Sequence, residues 1–249
     1  MRTLAKLTWV EIKLFVREPI TMVFTFALPI LFLFVMGGVF GNTPDTGGQV
    51  VYRGVGAMDY YISAYIALTI ASIGLVALPV HLTAYRERGV LRRFRASSIS
   101  IWSLFGAQVA VSFVVTVVGG VLIVIAAVFT YDATMPESPL LVIPAFTAGL
   151  LSFAALGILL GSVMPTTRAA QGLGLLLFFV ILILGGAGPP REVMTTAMQY
   201  IGDATPLRHA ITLLQDPWLG WGWNWTEFGI VVGILIGSIL LAARFFRWE

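Results

Sequence analysis

The stretch YRERGVLRRFRASSIS, residues 85–100, holds five of the fifteen basic residues of this 249-residue chain. The sequence on either side is apolar: no charged residue occurs between Asp59 and Arg86, or between Arg95 and Asp132. An arginine at the centre of a membrane helix costs about 2.5–3.5 kcal/mol, so five together cannot lie in hydrocarbon. We therefore expect this stretch to lie in water, directly beside a membrane.

The composition is that of a polytopic membrane protein. Hydrophobic residues make up 58% of the chain and charged residues only 11%, whereas soluble domains carry about 25% charged residues. The basic residues flank apolar runs, which is typical of topology signals and not of a nucleic-acid footprint. We expect no nucleic-acid partner, and the absence of cysteine excludes disulfides and thiolate chemistry.

Six charge-free windows are long enough to cross a bilayer, because about 20 helical residues span about 30 Å. The sequence therefore predicts an all-α membrane protein with six transmembrane helices, in one domain over residues 1–249. The last window has only 16 residues, so Glu227 and Arg244 are expected at the two interfaces. In the first window, residues 19–44, the helix is expected to end near Phe40. The other windows are residues 60–85, part of 96–131, 138–167, 169–190 and 228–243.

The charge distribution predicts that both termini are cytoplasmic. With the N-terminus inside, twelve of the fifteen basic residues fall in inner segments, and only Arg53, Arg191 and Arg208 fall outside. An excess of Lys and Arg marks the cytoplasmic loops of membrane proteins. The 85–100 stretch is then a cytoplasmic loop between the second and third spans.

Two further segments have helical patterns of their own. Residues 1–18 have apolar residues near the helical period among four basic ones, which favours an amphipathic helix on the membrane surface; a basic flank is the alternative. Residues 185–226 are half apolar and broken by prolines, which favours two short helices that enter the outer leaflet and return. A cap resting on the outer surface is the alternative for this second segment.

The sequence offers little chemistry of its own. Its only lysines, Lys6 and Lys13, do not follow a glycine, so a phosphate-binding loop is absent and we expect neither an enzyme nor a bound cofactor. His81 and His209 have no carboxylate near enough in sequence to indicate a metal site. No span has a charged residue at its middle, which argues against ion-coupled transport and against a carboxylate enzyme. Four residues could line an amphipathic path, although packing or lipid contact is the commoner role: Ser63, Thr69, Phe178 and Phe179.

The basic stretch itself allows two interpretations. On a helical wheel, Arg88, Arg92 and Arg95 share one face, and Glu87, Leu91, Phe94 and Ser98 form the neighbouring face. An anchor for anionic lipid headgroups needs only the cationic face. The apolar edge favours contact with a protein partner.

Four segments together resemble the ABC-2-type permeases, which are the membrane subunits of ATP-binding-cassette exporters. The sequence from Glu87 to Ala96, ERGVLRRFRA, is similar to that family's cytoplasmic loop after the second span. Arg17-Glu18-Pro19, followed by Pro29, resembles its entry into the first span. Gly185-Gly186 with Pro189-Pro190, and Thr205-Pro206-Leu207, resemble its external re-entrant region.

The resemblance implies a mechanism. Two permease chains, identical or paralogous, pair in the lipid membrane, and each docks on a separate ATPase subunit that holds ATP and Mg. The residues it implies for ATPase coupling are Glu87, Arg88, Gly89, Leu91, Arg92, Phe94 and Arg95. It implies a second contact through Glu11, Arg17 and Glu18 of the surface helix, and an external gate shaped by Pro189, Pro190 and Pro206.

From this resemblance we expect a bacterial or archaeal exporter that moves hydrophobic or amphipathic, drug-like molecules outward across the cytoplasmic membrane. Lipid, polysaccharide or sodium export within the same family is an alternative. A membrane scaffold that recruits a cytosolic partner through its basic loop is the alternative from another class.

Overall fold

The computed structural model describes residues 2–44, 51–96 and 101–245, with side chains described over 8–44, 51–93 and 103–245. These residues form α-helices joined by short connections, and none of them forms a β-strand. Two 3-10 turns lie at Tyr52–Gly54 and Arg191–Val193. The helices are α1 (Arg2–Val16), α2 (Pro19–Phe40), α3 (Ala57–Glu87), α4 (Val90–Ala96), α5 (Ile101–Tyr131), α6 (Pro139–Val163), α7 (Thr167–Leu184), α8 (Thr196–Asp203), α9 (Pro206–Trp218) and α10 (Trp225–Phe245).

Six of these helices, α2, α3, α5, α6, α7 and α10, are long and apolar enough to cross a membrane. The predicted all-α fold with six spans is therefore confirmed, and the chain is a multi-pass membrane protein. Only helices and closed barrels satisfy every backbone polar group within lipid, so long charge-free windows become helices. α10 is longer than its charge-free window at both ends. Glu227 lies in its first turn and Arg244 in its last turn.

The second span, α3, is the centre of the bundle. Every residue in its apolar window of 18 residues is buried, whereas at most half of the corresponding window is buried in the other five spans. Those other spans expose large apolar side chains, among them Phe129 and Leu140, as lipid contact requires. Any displacement of α3 therefore acts on the packing of the whole bundle.

Glycines bring the backbones of α3, α6 and α7 into close contact. A Cβ atom added at Gly157 of α6 would lie 2.4 Å from the Gly74 carbonyl oxygen of α3, and one at Gly174 of α7 would lie 2.1 Å from the Leu75 oxygen. Small residues allow such close approach between membrane helices. A Cβ atom added at Gly229, Gly233 or Gly237 of α10 would have no neighbouring atom within 4 Å.

Each of two spans widens by a π-helical turn just before a proline. In α2 the π segment is Val23–Ala27, and Pro29 follows; in α3 it is Ile73–Ala77, and Pro79 follows. A proline lacks the amide proton and clashes with the carbonyl four residues earlier, so a wider turn accommodates it. The Leu75 carbonyl that Pro79 cannot bind is the one that Gly174 approaches.

The segment between α7 and α10 forms two helices with different surroundings. Leu207, Ile211 and Leu214 of α9 are fully buried, and α9 packs against α3, α6 and α10. α8 packs against α7 and leaves Tyr200 74% exposed. The two short helices are present as predicted, and their entry into the outer leaflet, with a cap on the outer surface as the alternative, stays a prediction.

The N-terminal helix is also present. α1 packs against α5, with Phe15 buried and Trp9 and Val16 exposed. Its amphipathic pattern thus has an inward face. Its position along a membrane surface stays a prediction.

Candidate functional site

The junction between α3 and α4 is a helix break at the basic end of the bundle, the end that carries residues 85–96. α3 ends at Glu87, and Gly89 takes a φ of +66°, a left-handed conformation that glycine adopts without steric cost. The Gly89 amide donates to the Arg86 carbonyl at 3.0 Å, and α4 starts at Val90. One helical wheel therefore cannot run from α3 into α4.

Leu91 points into the bundle, which corrects the expectation that it contacts a partner. Its side chain is 1% exposed and lies in a buried cluster with Leu82 and Leu104. The wheel that grouped Leu91 with Glu87 assumed a continuous helix, and the break at Gly89 removes that relationship. Leu91 instead anchors α4 onto the ends of α3 and α5.

The outward surface of the junction and α4 is cationic. Arg88, Arg92 and Arg93 are exposed. The side chains of Phe94 and Arg95 lie outside the described residues, as does the whole of Ser98, so their proposed contacts stay predictions.

Arg86 and Glu87, the last two residues of α3, bind opposite sides of the turn between α6 and α7. The Arg86 guanidinium donates to the carbonyl oxygens of Gly161 and Ser162, both at 3.3 Å, and to that of Met164. The Glu87 carboxylate accepts from the Thr167 amide at 2.9 Å and from the Thr167 hydroxyl at 2.6 Å. No local pattern in the sequence indicates these contacts, because the partners are 75 to 80 residues apart.

A polar cluster joins α1 to the same end of α3. The Tyr85 hydroxyl donates to Glu11 at 2.5 Å, and His81 Nε2 lies 3.1 Å from a Glu18 oxygen. Burial is the largest influence on the Glu18 carboxyl and raises its pKa, but the hydrogen bond and charge of His81, together with Thr21 and Arg88, leave the pKa below its ordinary value. Among the described residues, no group of three His, Asp or Glu side chains could hold a metal ion.

This cluster revises the predicted role of the surface helix. Glu11 is 2% exposed and faces α3, so it does not contact a partner in this conformation. Glu18 is half-buried against His81, whereas Arg17 is exposed and accessible. A helical spacing could not have predicted this cluster, because α1 ends at Val16 and Glu18 lies beyond that end in an extended conformation.

A cleft of about 470 Å³ opens beside these contacts. It is lined by Arg86 and Glu87, by the α6–α7 turn, and by Phe245 at the end of α10. The basic end of the bundle thus combines an exposed cationic helix, a bridged turn and an open cleft.

Comparisons of the sequence with known proteins identify a transport family. The profile of the family described as "ABC-2 type transporter" matches residues 3–219. The chain belongs to the ABC-2 type transporter family. It is also 22% identical over 249 residues to "Putative transport permease YvfS" of Bacillus subtilis (strain 168), with 97% of this chain and 96% of the relative covered.

Members of the ABC-2 family are membrane subunits of ATP-binding-cassette transporters, and this chain is of that type. In that family ATP is hydrolysed on a partner subunit.

The residues suggested for a cargo path do not form an open path in this chain. Ser63 and Thr69 are fully buried, and their hydroxyls donate to the Tyr60 and Tyr65 carbonyls of their own helix.

The two phenylalanines suggested for the path differ from each other. Phe178 is fully buried and packs edge-on against Phe24 at 5.5 Å between ring centres. Phe179 is 43% exposed on the outer surface of α7. Only Phe179 is therefore accessible to a molecule outside this chain.

The prolines proposed for an external gate lie at the end of the bundle opposite the basic end. Pro190 is buried and precedes the 3-10 turn Arg191–Val193, and Pro206 is the first residue of α9. Next to Pro189, the Gly188 carbonyl accepts a 2.7 Å hydrogen bond from Tyr61 of α3. The prolines thus start helical segments that are fixed to α3, and their role in gating stays a prediction.

Proposed function

We propose that this chain is the export permease subunit of an ATP-driven transporter, and that α4 docks on a separate ATPase subunit in the cytoplasm. One observation carries the proposal: the exposed cationic helix α4 is joined by only two residues, Arg88 and Gly89, to the most buried span of the bundle. A force applied to α4 therefore reaches the centre of the protein directly.

The anchoring of α4 supports this transmission. Leu91 is buried between Leu82 and Leu104, so α4 cannot swing freely on the Gly89 hinge. Arg88, Arg92 and Arg93 face outward, where they would steer and orient an acidic docking surface. ATP and Mg would be held by the ATPase subunit.

The cargo path is proposed to lie between two permease chains. Within one chain the apolar window of α3 is completely buried, and the hydroxyls of Ser63 and Thr69 are satisfied by backbone carbonyls of the same helix. Two identical or paralogous chains would enclose the path between them. Since the spans have no charge at their middle, hydrophobic or amphipathic molecules fit such a path best.

The test is reconstitution in lipid vesicles with an ATP-binding-cassette ATPase subunit, sought first among the genes that neighbour this one. We expect copurification, and ATP-dependent movement of a fluorescent amphipathic dye. Arg93→Glu should weaken ATPase binding, because it reverses the charge of an exposed α4 residue. Arg244→Glu is the matched control, since Arg244 is also exposed at the basic end but lies on α10. Failure of the wild-type chain to bind or stimulate the ATPase would overturn the proposal.

A further inference from the structure

The turn between α6 and α7 leaves backbone groups without partners in their own helices. α6 ends at Val163 and α7 begins at Thr167, so only three residues connect antiparallel spans. The last carbonyls of a helix and the first amides of the next have no intrahelical partner. Thr166 satisfies one of them, since its hydroxyl accepts from the Ala169 amide at 3.2 Å.

Arg86 completes the α6 side of this turn. Its guanidinium binds three carbonyl oxygens at the end of α6, those of Gly161, Ser162 and Met164. The C-terminus of a helix carries partial negative charge, so a cation is favourable there. The planar group of arginine, with five donors, can serve several carbonyls at once.

Glu87 completes the α7 side. One carboxylate oxygen accepts from the Thr167 amide, and the other accepts from the Thr167 hydroxyl. The N-terminus of a helix carries partial positive charge, so the anion is favourable there. Two consecutive residues of α3 thus match both helix ends in the sign of their charge and in hydrogen bonding.

The surroundings make these contacts important for the position of the turn. The cleft of about 470 Å³ lies against Met164 and Pro165, so this side of the turn lacks a packed neighbour. On this side, the contacts made by Arg86 and Glu87 join the α6–α7 turn to α3.

We propose that Arg86 and Glu87 are positioning residues that clamp the α6–α7 turn to the end of α3, so that a movement of α4 displaces all three spans together. The role of this clamp rests on the proposed function, because the clamp would carry a force from α4 to α6 and α7. Glu87 then acts inside the permease, through Thr167, and not as a direct contact to the ATPase.

The first experiment measures the clamp without any ATPase. The chain has no cysteine, so Arg93→Cys on α4 and Arg168→Cys at the start of α7 can be spin-labelled alone; both sites are exposed. In vesicles, the electron–electron distance distribution between the labels should be narrow. Adding Glu87→Ala should broaden or shift it, and adding Thr167→Ser should not, because serine keeps both the amide and the hydroxyl.

The second experiment measures coupling in the reconstituted transporter. Glu87→Ala and Thr167→Val should each lower the ratio of dye moved to ATP hydrolysed, with ATPase affinity unchanged. For Glu87→Ala we expect a loss of about fivefold or more, the lower end of typical coupling between sites. The double variant should be no worse than Glu87→Ala alone, since both remove one contact.

The outcomes separate the two proposals. Unchanged label distances in Glu87→Ala would overturn the clamp, and so would a loss of ATPase affinity in Glu87→Ala with a harmless Thr167→Val. Failure of the wild-type chain to bind the ATPase would instead overturn the proposed function. The label distances would then still decide whether Arg86 and Glu87 hold the turn.

Discussion

The hydroxyl of Tyr85 donates a 2.5 Å hydrogen bond to the carboxylate of Glu11, which is 2% exposed. This contact joins α1 to the last turn of α3. The two residues that follow Tyr85 bind the end of α6 and the start of α7. Three consecutive residues of α3 therefore hold three other helices just before the break at Gly89.

Removing the Tyr85 hydroxyl should destabilise the protein. Tyr85→Phe leaves a buried Glu11 oxygen without its donor, and such an unsatisfied group costs about 1–3 kcal/mol. We expect a lower midpoint of thermal unfolding in detergent, followed by tryptophan fluorescence. Tyr200→Phe is the control, because Tyr200 is 74% exposed on α8. Equal midpoints for the two variants would contradict the contribution of the Tyr85–Glu11 bond.

A methyl group at the α3–α7 contact should disrupt packing. Gly174→Ala would place a Cβ 2.1 Å from the Leu75 oxygen, and overpacking of this kind costs about 1–3 kcal/mol. The matched control is Gly172→Ala on the same helix, where no atom lies within 4 Å. Size-exclusion chromatography after heating should show loss of the monodisperse peak at a lower temperature for Gly174→Ala only. A parallel loss in Gly172→Ala would mean that helix α7 itself tolerates no change.

The spans could be predicted from the sequence because lipid leaves few choices. A charge-free window of 20 residues must be helical, and its flanking charges mark its ends. The helix ends observed for α2 and α6 accordingly lie within a few residues of the windows. Helix α9 was harder, since Pro206 and Pro217 look like breaks, yet Pro206 starts the helix and Pro217 lies in its last turn.

The roles of individual side chains could not be predicted in the same way. Leu91 was assigned outward because a wheel assumes one continuous helix, and Gly89 ends that helix. Ser63 and Thr69 suggested a path because they are polar, but hydroxyls in a helix can bind the carbonyl three or four residues back. Glu87 carries no local sign of Thr167, which lies 80 residues further along the chain.

An ion pair at the end opposite the basic end should contribute to stability. Arg53 lies 2.8 Å from Asp216, whose side chain is 8% exposed, and the Arg53 guanidinium lies 3.9 Å from the ring centre of Trp221. Arg53→Gln should lower the free energy of unfolding by about 1.5–3 kcal/mol, the range for a hydrogen bond to a charged group.

A second substitution tests whether the unpaired charge of Asp216 causes the loss of stability in Arg53→Gln. Adding Asp216→Asn to Arg53→Gln should restore part of the stability, because no unpaired buried charge then remains. Asp132→Asn is the control for the acid-to-amide change, since Asp132 is exposed. If the double variant is no more stable than Arg53→Gln, the unpaired charge of Asp216 is not the cause of the loss of stability.

The contact between His209 and Glu227 should make stability depend on pH. His209 Nδ1 lies 2.6 Å from a Glu227 oxygen, and Nε2 lies 2.8 Å from the Asp203 carbonyl oxygen, so the ring faces acceptors on both sides. The hydrogen bond with Glu227 raises the pKa of His209, although burial and Arg208 oppose it. A protonated ring donates to both oxygens and joins α9 to α10.

Because the pKa of His209 is raised in the folded protein, its stabilising contribution is complete below the ordinary value of about 6.5 and is lost as pH rises through the raised pKa. The unfolding midpoint of the wild type, relative to His209→Gln, should therefore fall as the pH rises above about 6.5 and through the raised pKa of His209. Glu227→Gln should flatten the same dependence, since it removes the carboxylate that raises the pKa. Parallel pH curves for the wild type and His209→Gln would show that protonation of His209 does not hold α9 against α10.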